Sequence, residues 1–345
     1  MHELLNTLYV LTQGSYLRLD HETVRLEVER EHRLAMPLHH LQGIVAFGNV
    51  LVSPFLLHKL AKDGRAMVFL NAYGAFRARL EGPQSGNVLL RQAQHRALDQ
   101  PDGALALALV KAMVAGKIQN ARTVVIRAAR EAGAAGDADT LHATAENLAA
   151  AIQAVGRAAT IDEARGHEGL AARHWFGAFT AMIRANREHF ALVVRSRRPP
   201  RDRINALLSF LYTLLTADCA SAVQSVGLDP QIGFLHALRP GRPALALDLM
   251  EELRAPFADR VALSLINRRQ LGPDDFEERP GGAVYLSDGG RRTVIGAWQT
   301  RKQETLTHPL LKRELPVGLI PFVQARLLAR CLRGDSEAYV PYLAR

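Results

Sequence analysis

From Thr7 to about Leu80 apolar and polar positions mostly alternate with period two, as in Tyr16-Leu-Arg-Leu and Val24-Arg-Leu-Glu-Val-Glu. Gly14-Ser15 and Asp20-His21 place turns between these runs. Alternation of this kind buries one face of a strand and leaves the other wet, so it predicts a β domain. Ile44-Val-Ala-Phe and Met67-Val-Phe-Leu read as further strands, with a short helix across Pro54 to Asp63 between them. The breaker-rich stretch Glu81-Gly-Pro-Gln-Ser-Gly-Asn marks a boundary.

Beyond Val88 the apolar positions recur at i, i+3 and i+4, which is the spacing of one helix face. Helices are predicted over Ala104 to Ala132, Thr140 to Val155, Glu168 to Arg184, Arg203 to Ser225 and Leu319 to Leu332. One interruption, Gly282 to Ile295, reads as a β-hairpin turning at Asp288-Gly289. The expected fold is therefore α+β: an N-terminal β domain at 1–80, a linker at 81–90, and a larger, mainly helical domain at 91–345 carrying a β-hairpin insertion.

Composition refines the picture. A chain of 345 residues with 48% hydrophobic and 22% charged side chains supports two folded domains and excludes wholesale disorder. The formal net charge of +9 favours a polyanionic partner, nucleic acid first. Of the 43 basic residues 37 are Arg, a bias that GC-rich coding alone would also produce. Cys219 and Cys331 lie far apart without a CxxC spacing, which fits a reducing cytoplasm. The N-terminal residues lack a basic region, and Lys111 breaks the longest apolar stretch, so neither a secretion signal nor a membrane span is expected.

Candidate chemistry lies in three segments. In the helix that follows Pro243, Asp248 stands three residues before Glu251 and four before Glu252, which puts carboxylates on one face of an apolar run. A solvated acidic stripe pairing with Arg254 or Arg242 accounts for the same spacing. Glu168 is read at the start of an amphipathic helix between Gly166 and Gly169, where glycines permit close approach to a carboxylate and the helix dipole also favours an acid. Two separated carboxylates together with His236 make a hard-oxygen site with one imidazole, suited to Mn²⁺ or Mg²⁺ and to phosphate chemistry. Between the acidic segments, residues 184–203 hold seven Arg against Glu188 and Asp202. Arg195, Arg197, Arg198, Arg201 and Arg203 form either a track for DNA phosphates or a solvated loop held open by Pro199-Pro200.

Gly166-His-Glu-Gly-Leu-Ala-Ala-Arg, Arg197-Arg-Pro-Pro, Asn205-Ala-Leu-Leu-Ser-Phe-Leu-Tyr, Leu235-His236 and Ala246-Leu-Asp-Leu-Met-Glu-Glu-Leu-Arg occur in an order that resembles the CRISPR-associated integrase of the spacer-acquisition module. Gly86-Asn-Val-Leu-Leu-Arg, Lys117-Ile-Gln-Asn and Gln299-Thr-Arg-Lys-Gln-Glu extend the likeness over nearly the whole chain, closest to the I-C subtype. His174-Trp175 and Leu253 depart from the more usual family pattern at packing positions. The resemblance implies a metal held by Glu168, His236 and Glu251, with Asp248 as an auxiliary acid lining the site. It implies cytoplasmic action on double-stranded DNA, a homodimer formed through the β domain, and a small ferredoxin-like partner subunit. The implied reaction joins the 3′-hydroxyl ends of a captured duplex to the repeat as a new spacer. A stand-alone metal-dependent nuclease of repair or recombination would use the same triad, and a non-catalytic DNA-bridging protein would need only the basic track.

Overall fold

The computed structural model describes residues 6–82, 88–99, 103–196 and 199–344. The chain separates into two compact units, residues 1–85 and 86–345.

In the first unit the period-two runs become β1 (Asn6–Val10), β2 (Ser15–Asp20), β3 (Thr23–Val28), β4 (Glu31–Pro37), β5 (Leu41–Phe47), β6 (Val50–Val52), β7 (Ala66–Leu70) and β8 (Phe76–Arg79), with helix α1 (Pro54–Lys62) before β7. They form two four-stranded sheets, β1-β5-β7-β8 and β4-β3-β2-β6. β5 lies parallel to both β1 and β7, and all but one of its residues are buried, as expected of a central strand with a continuous apolar run. Gly43 is required there, because a Cβ would stand 2.7 Å from the Ala66 carbonyl oxygen. Leu17, Val24, Leu41, Ile44, Leu56 and Met67 meet in the core of this unit.

The second unit comprises α2 (Val88–Asp99), α3 (Ala104–Arg130), α4 (Ala135–Arg157), α5 (Ile161–Gly177), α6 (Arg203–Ser225), α7 (Ala244–Leu253), α8 (Arg260–Asn267), the hairpin β9 (Phe276–Arg279) and β10 (Ala283–Leu286), α9 (Asp288–Gln303), the short pair β11 (Thr305–Thr307) and β12 (Glu314–Pro316), and α10 (Ile320–Leu332). α3 packs on α4, α5 and α7, while α6 packs on α7 and α10. α3 and α6 are long and apolar enough to cross a membrane, but their apolar residues are largely buried against neighbouring helices.

Two sequence expectations are corrected. The hairpin turns at Gly281 and Gly282, whose φ values are +85° and +73°, and Asp288-Gly289 instead opens α9 behind the Ser287 cap. α5 begins at Ile161, not near Glu168: Thr160 Oγ1 accepts from the Glu163 N–H at 3.1 Å and Glu163 Oε2 accepts from the Ala159 N–H at 2.7 Å. The Thr-x-x-Glu signature of a helix start was present in the sequence, and Glu168 sits two turns inside the helix.

A π-helical stretch, Arg254–Asp259, joins α7 to α8 and contains Pro256. Pro256 has no N–H to donate to the Glu252 carbonyl four residues back. Asn120 Nδ2, buried on α3, donates to that carbonyl at 2.7 Å and to the Tyr342 carbonyl at 2.7 Å, while Asn120 Oδ1 accepts from the Ala344 N–H. One side chain thus ties α3, the end of α7 and the C-terminal segment together.

Candidate active site

Glu168 projects from the middle of α5, Glu251 from α7, and His236 from the loop leading to α7. With Arg165, Leu235 and Ala237 they line an open cleft. A Cβ at Gly166 or Gly169 would meet nothing within 4 Å, so the α5 surface on either side of Glu168 is uncluttered.

The two carboxylates meet on one cation. Lys117 of α3 sends its ammonium group between them, bonding Glu168 Oε1 and lying 2.7 Å from Glu251 Oε2. Glu251 meets a second cation, Arg254, whose Nη1 stands 3.0 Å from both carboxylate oxygens. Burial alone would push the Glu251 carboxyl up; the charges of Arg254 and Lys117 outweigh it and hold the group well below the usual carboxylate range. The adjacent acid behaves oppositely. Burial raises Glu252 to about 8 against the hydrogen bonds from Tyr339 and Gln324, so neighbouring carboxyls in sequence carry different charges at neutral pH.

Asp248 does not line the cleft, contrary to the sequence expectation. It is fully buried behind His236, where Oδ2 accepts from the Phe234 and Leu235 N–H groups at 2.5 and 3.0 Å and Oδ1 accepts from the His236 N–H at 2.9 Å. His236 Nδ1 lies 2.7 Å from the same Oδ1. A carboxylate acceptor there places the neutral ring's proton on Nδ1 and leaves the Nε2 lone pair on the cleft side, 3.8 Å from Glu251 Oε1. Gly233 makes this loop possible, since a Cβ would collide with Ala244 at 2.6 Å. Arg165 Nε holds the loop from outside by donating to the Leu235 carbonyl at 2.6 Å.

Beneath Glu251, Arg254 stacks 4.2 Å from the Tyr212 ring centroid, and the Tyr212 hydroxyl donates to Asp259 at 2.6 Å. Of the acids read as a stripe in α7, Glu251 pairs with Arg254, in the interior of the unit instead of in solvent, while Asp248 and Glu252 are buried with other partners. Lys117 and Tyr212 belong to the sequence motifs, which by themselves give neither a role. The available signal for Lys117 was its face of α3, shared with Val110, Met113, Ala121 and Val124, all of which are buried.

The basic segment divides. Arg195 differs from the expected phosphate contact: its guanidinium lies 5.7 and 5.5 Å from the Phe176 and Tyr212 ring centroids and donates to the Ser196 carbonyl and Asn205 Oδ1. Arg201 is exposed and donates to the Gly281 carbonyl, while Arg203 is half-buried. Arg197 and Arg198 lie outside the described residues. The Val284 N–H donates to the Pro200 carbonyl at 3.0 Å, fastening the segment to the β9–β10 hairpin.

A β unit followed by this helical unit is also found in a CAS1 protein and in a casposase. The chain superposes on a CAS1 protein from Thermotoga maritima with a TM-score of 0.82 at 22% identity, covering 97% of this chain and 98% of that one. It superposes on a casposase bound to integration product with a TM-score of 0.83 at 21% identity, covering 97% and 93%. It also matches a Cas6-RT-Cas1–Cas2 complex with a TM-score of 0.82 at 23% identity, covering 98% of this chain and 36% of that one. Sequence carries the assignment further. The family model for CRISPR associated protein Cas1 matches residues 8–300. CRISPR-associated endonuclease Cas1 1 of Moorella thermoacetica is 54% identical over 345 residues, with 100% of both chains covered. CRISPR-associated endonuclease Cas1 2 of Rhodospirillum rubrum is 50% identical over 346 residues, with 99% of each covered. The chain belongs to the Cas1 family.

Proposed function

We propose that the chain is a metal-dependent DNA endonuclease and integrase that inserts captured DNA fragments into a CRISPR array as new spacers by 3′-OH strand transfer. It is an enzyme of the nuclease and integrase class, in keeping with the relatives named as CRISPR-associated endonucleases. The observation that carries the reading is the convergence of Glu168 and Glu251, from separate helices, onto one cation, with His236 lining the same cleft.

Two carboxylates and an imidazole whose Nε2 is available form a donor set suited to Mn²⁺ or Mg²⁺, and carboxylates that draw an ammonium between them call for positive charge. A divalent ion there would activate an oxygen nucleophile and neutralise phosphate charge. Glu168, Glu251 and His236 would hold it. Asp248 fixes the imidazole tautomer, Arg254 keeps Glu251 ionised, and Arg165 steadies the Leu235–His236 backbone.

The partners in this reading are double-stranded DNA, a second copy of the chain joined through the β unit, and a small ferredoxin-like subunit; the structural match to a Cas1–Cas2 assembly supports the last. The motif likeness supports the I-C subtype, and the free, buried thiols of Cys219 and Cys331 suit the cytoplasm. The test uses EDTA-stripped protein, a duplex with free 3′-OH ends, a repeat-bearing target and the small subunit, with ions added back singly. Strand-transfer products are expected with Mn²⁺ at least as well as with Mg²⁺, whereas Ca²⁺ should permit DNA binding without turnover. Full activity in EDTA would overturn the metal assignment. Cleavage without strand transfer would favour a stand-alone nuclease.

A further inference from the structure

Lys117 is the only described cation that touches both candidate metal-holding carboxylates. Its mount is rigid. One residue before it, a Cβ at Gly116 would stand 2.6 Å from Pro341, and three residues after it Asn120 is hydrogen-bonded to Glu252, Tyr342 and Ala344. The α3 backbone is therefore clamped between α7 and the C-terminal segment, and the part of Lys117 free to move is its four-carbon side chain. Its Nζ lies between the two carboxylates that a divalent ion would use, bonded to one oxygen of each, and its side chain is 14% exposed. Two cations held between the same two carboxylates repel each other strongly at such separations in a partly buried site.

We propose that Lys117 is an exchangeable counter-ion: it holds Glu168 and Glu251 together before metal arrives and must leave them when a divalent ion binds, so that it sets the metal affinity of the site. This rests on the metal reading given above. Lys117 is thus a positioning residue that acts through the two carboxylates, and removing its charge should tighten metal binding even where it damages turnover.

The experiment is calorimetric titration of Mn²⁺ into metal-stripped, full-length protein. Lys117→Met should bind Mn²⁺ at least about tenfold more tightly than the wild type, since the competing charge is gone. Lys117→Arg, which retains it, should stay within about threefold of the wild type. Equal or weaker binding by Lys117→Met, or equal tightening in Lys117→Arg, would overturn the proposal while leaving the metal site standing. Glu168→Gln separates the two readings: undiminished Mn²⁺ binding in that variant would remove the metal site and this inference with it. A second measurement needs no variant. Brief acetylation of the wild type, read by mass spectrometry, should label Lys117 faster when Mn²⁺ is present than in EDTA, and unchanged labelling would count as refutation.

Discussion

Asp248 Oδ1 accepts two hydrogen bonds from a single residue, the His236 backbone N–H at 2.9 Å and the ring Nδ1 at 2.7 Å. The carboxylate therefore fixes where His236 sits and which ring nitrogen faces the cleft. Its other oxygen accepts the two preceding N–H groups, so the loop from Phe234 to His236 is folded around one buried side chain.

Asp248→Ala should consequently be a folding defect as well as a catalytic one. It leaves the N–H groups of Phe234, Leu235 and His236 without their acceptor in a buried setting, and about 3 kcal/mol of stability should be lost. Activity should fall about 10- to 100-fold in whatever protein remains folded, because the imidazole loses its orienting partner. Denaturant melts and DNA cleavage on the same preparation check both halves.

Glu168→Ala and Glu251→Ala should each reduce cleavage and strand transfer to the level seen in EDTA, yet differ in stability. Glu168 is partly exposed and its loss should cost no more than about 1 kcal/mol. Removing Glu251 strands the buried Arg254, and about 3–5 kcal/mol should be lost. Equal melting temperatures for the two variants would contradict the buried Glu251–Arg254 pair.

Burial pushes the Asp259 carboxyl up to about 6, against the opposing influence of Arg254 and Tyr212. A carboxyl with a raised folded-state value contributes its full stability below its unfolded value near 3.8 and loses it as pH rises through about 6. Asp259→Asn keeps an acceptor for the Tyr212 hydroxyl and cannot ionise. Relative to this variant, the wild type should lose about 2–4 kcal/mol between pH 4 and pH 7, measured by urea unfolding across that range. A constant difference would show that Asp259 does not titrate there.

In the basic segment the stability and DNA-binding roles should separate. Arg195→Ala removes a stacked and hydrogen-bonded guanidinium, so it should lower the melting temperature. Replacing Arg197, Arg198 and Arg201 together should flatten the log–log salt dependence of DNA binding by up to about 2.7, if each neutralises one phosphate. Anisotropy titrations of labelled duplex over a salt series read the slope directly, and an unaltered slope would return the segment to a solvated loop.

The local signals in the sequence were strong where a short stretch decides its own conformation. Period-two runs became strands, Pro54 opened α1 behind Ser53, and Arg203 to Ser225 matched α6 at both ends, with Asp202 accepting from the Asn205 N–H at its start. The errors were also local. The Gly281-Gly282 turn and the Thr160 cap prevail over Asp288-Gly289 and a later helix start. Glu168, His236 and Glu251, singled out by motif order, line one cleft.

Only the tertiary structure decided what those residues do to one another. Three-residue spacing in α7 put Asp248 and Glu251 on neighbouring positions but could not show that one points behind His236 and the other into the cleft. Nor could it show that Lys117, 51 positions from Glu168, supplies the cation between them. The physical reason is range. Periodicity, capping and the Glu251–Arg254 pair are set by contacts within a turn or two, whereas the cation that Glu251 shares with Glu168 and the aim of His236 are set by groups that only chain packing brings within 4 Å.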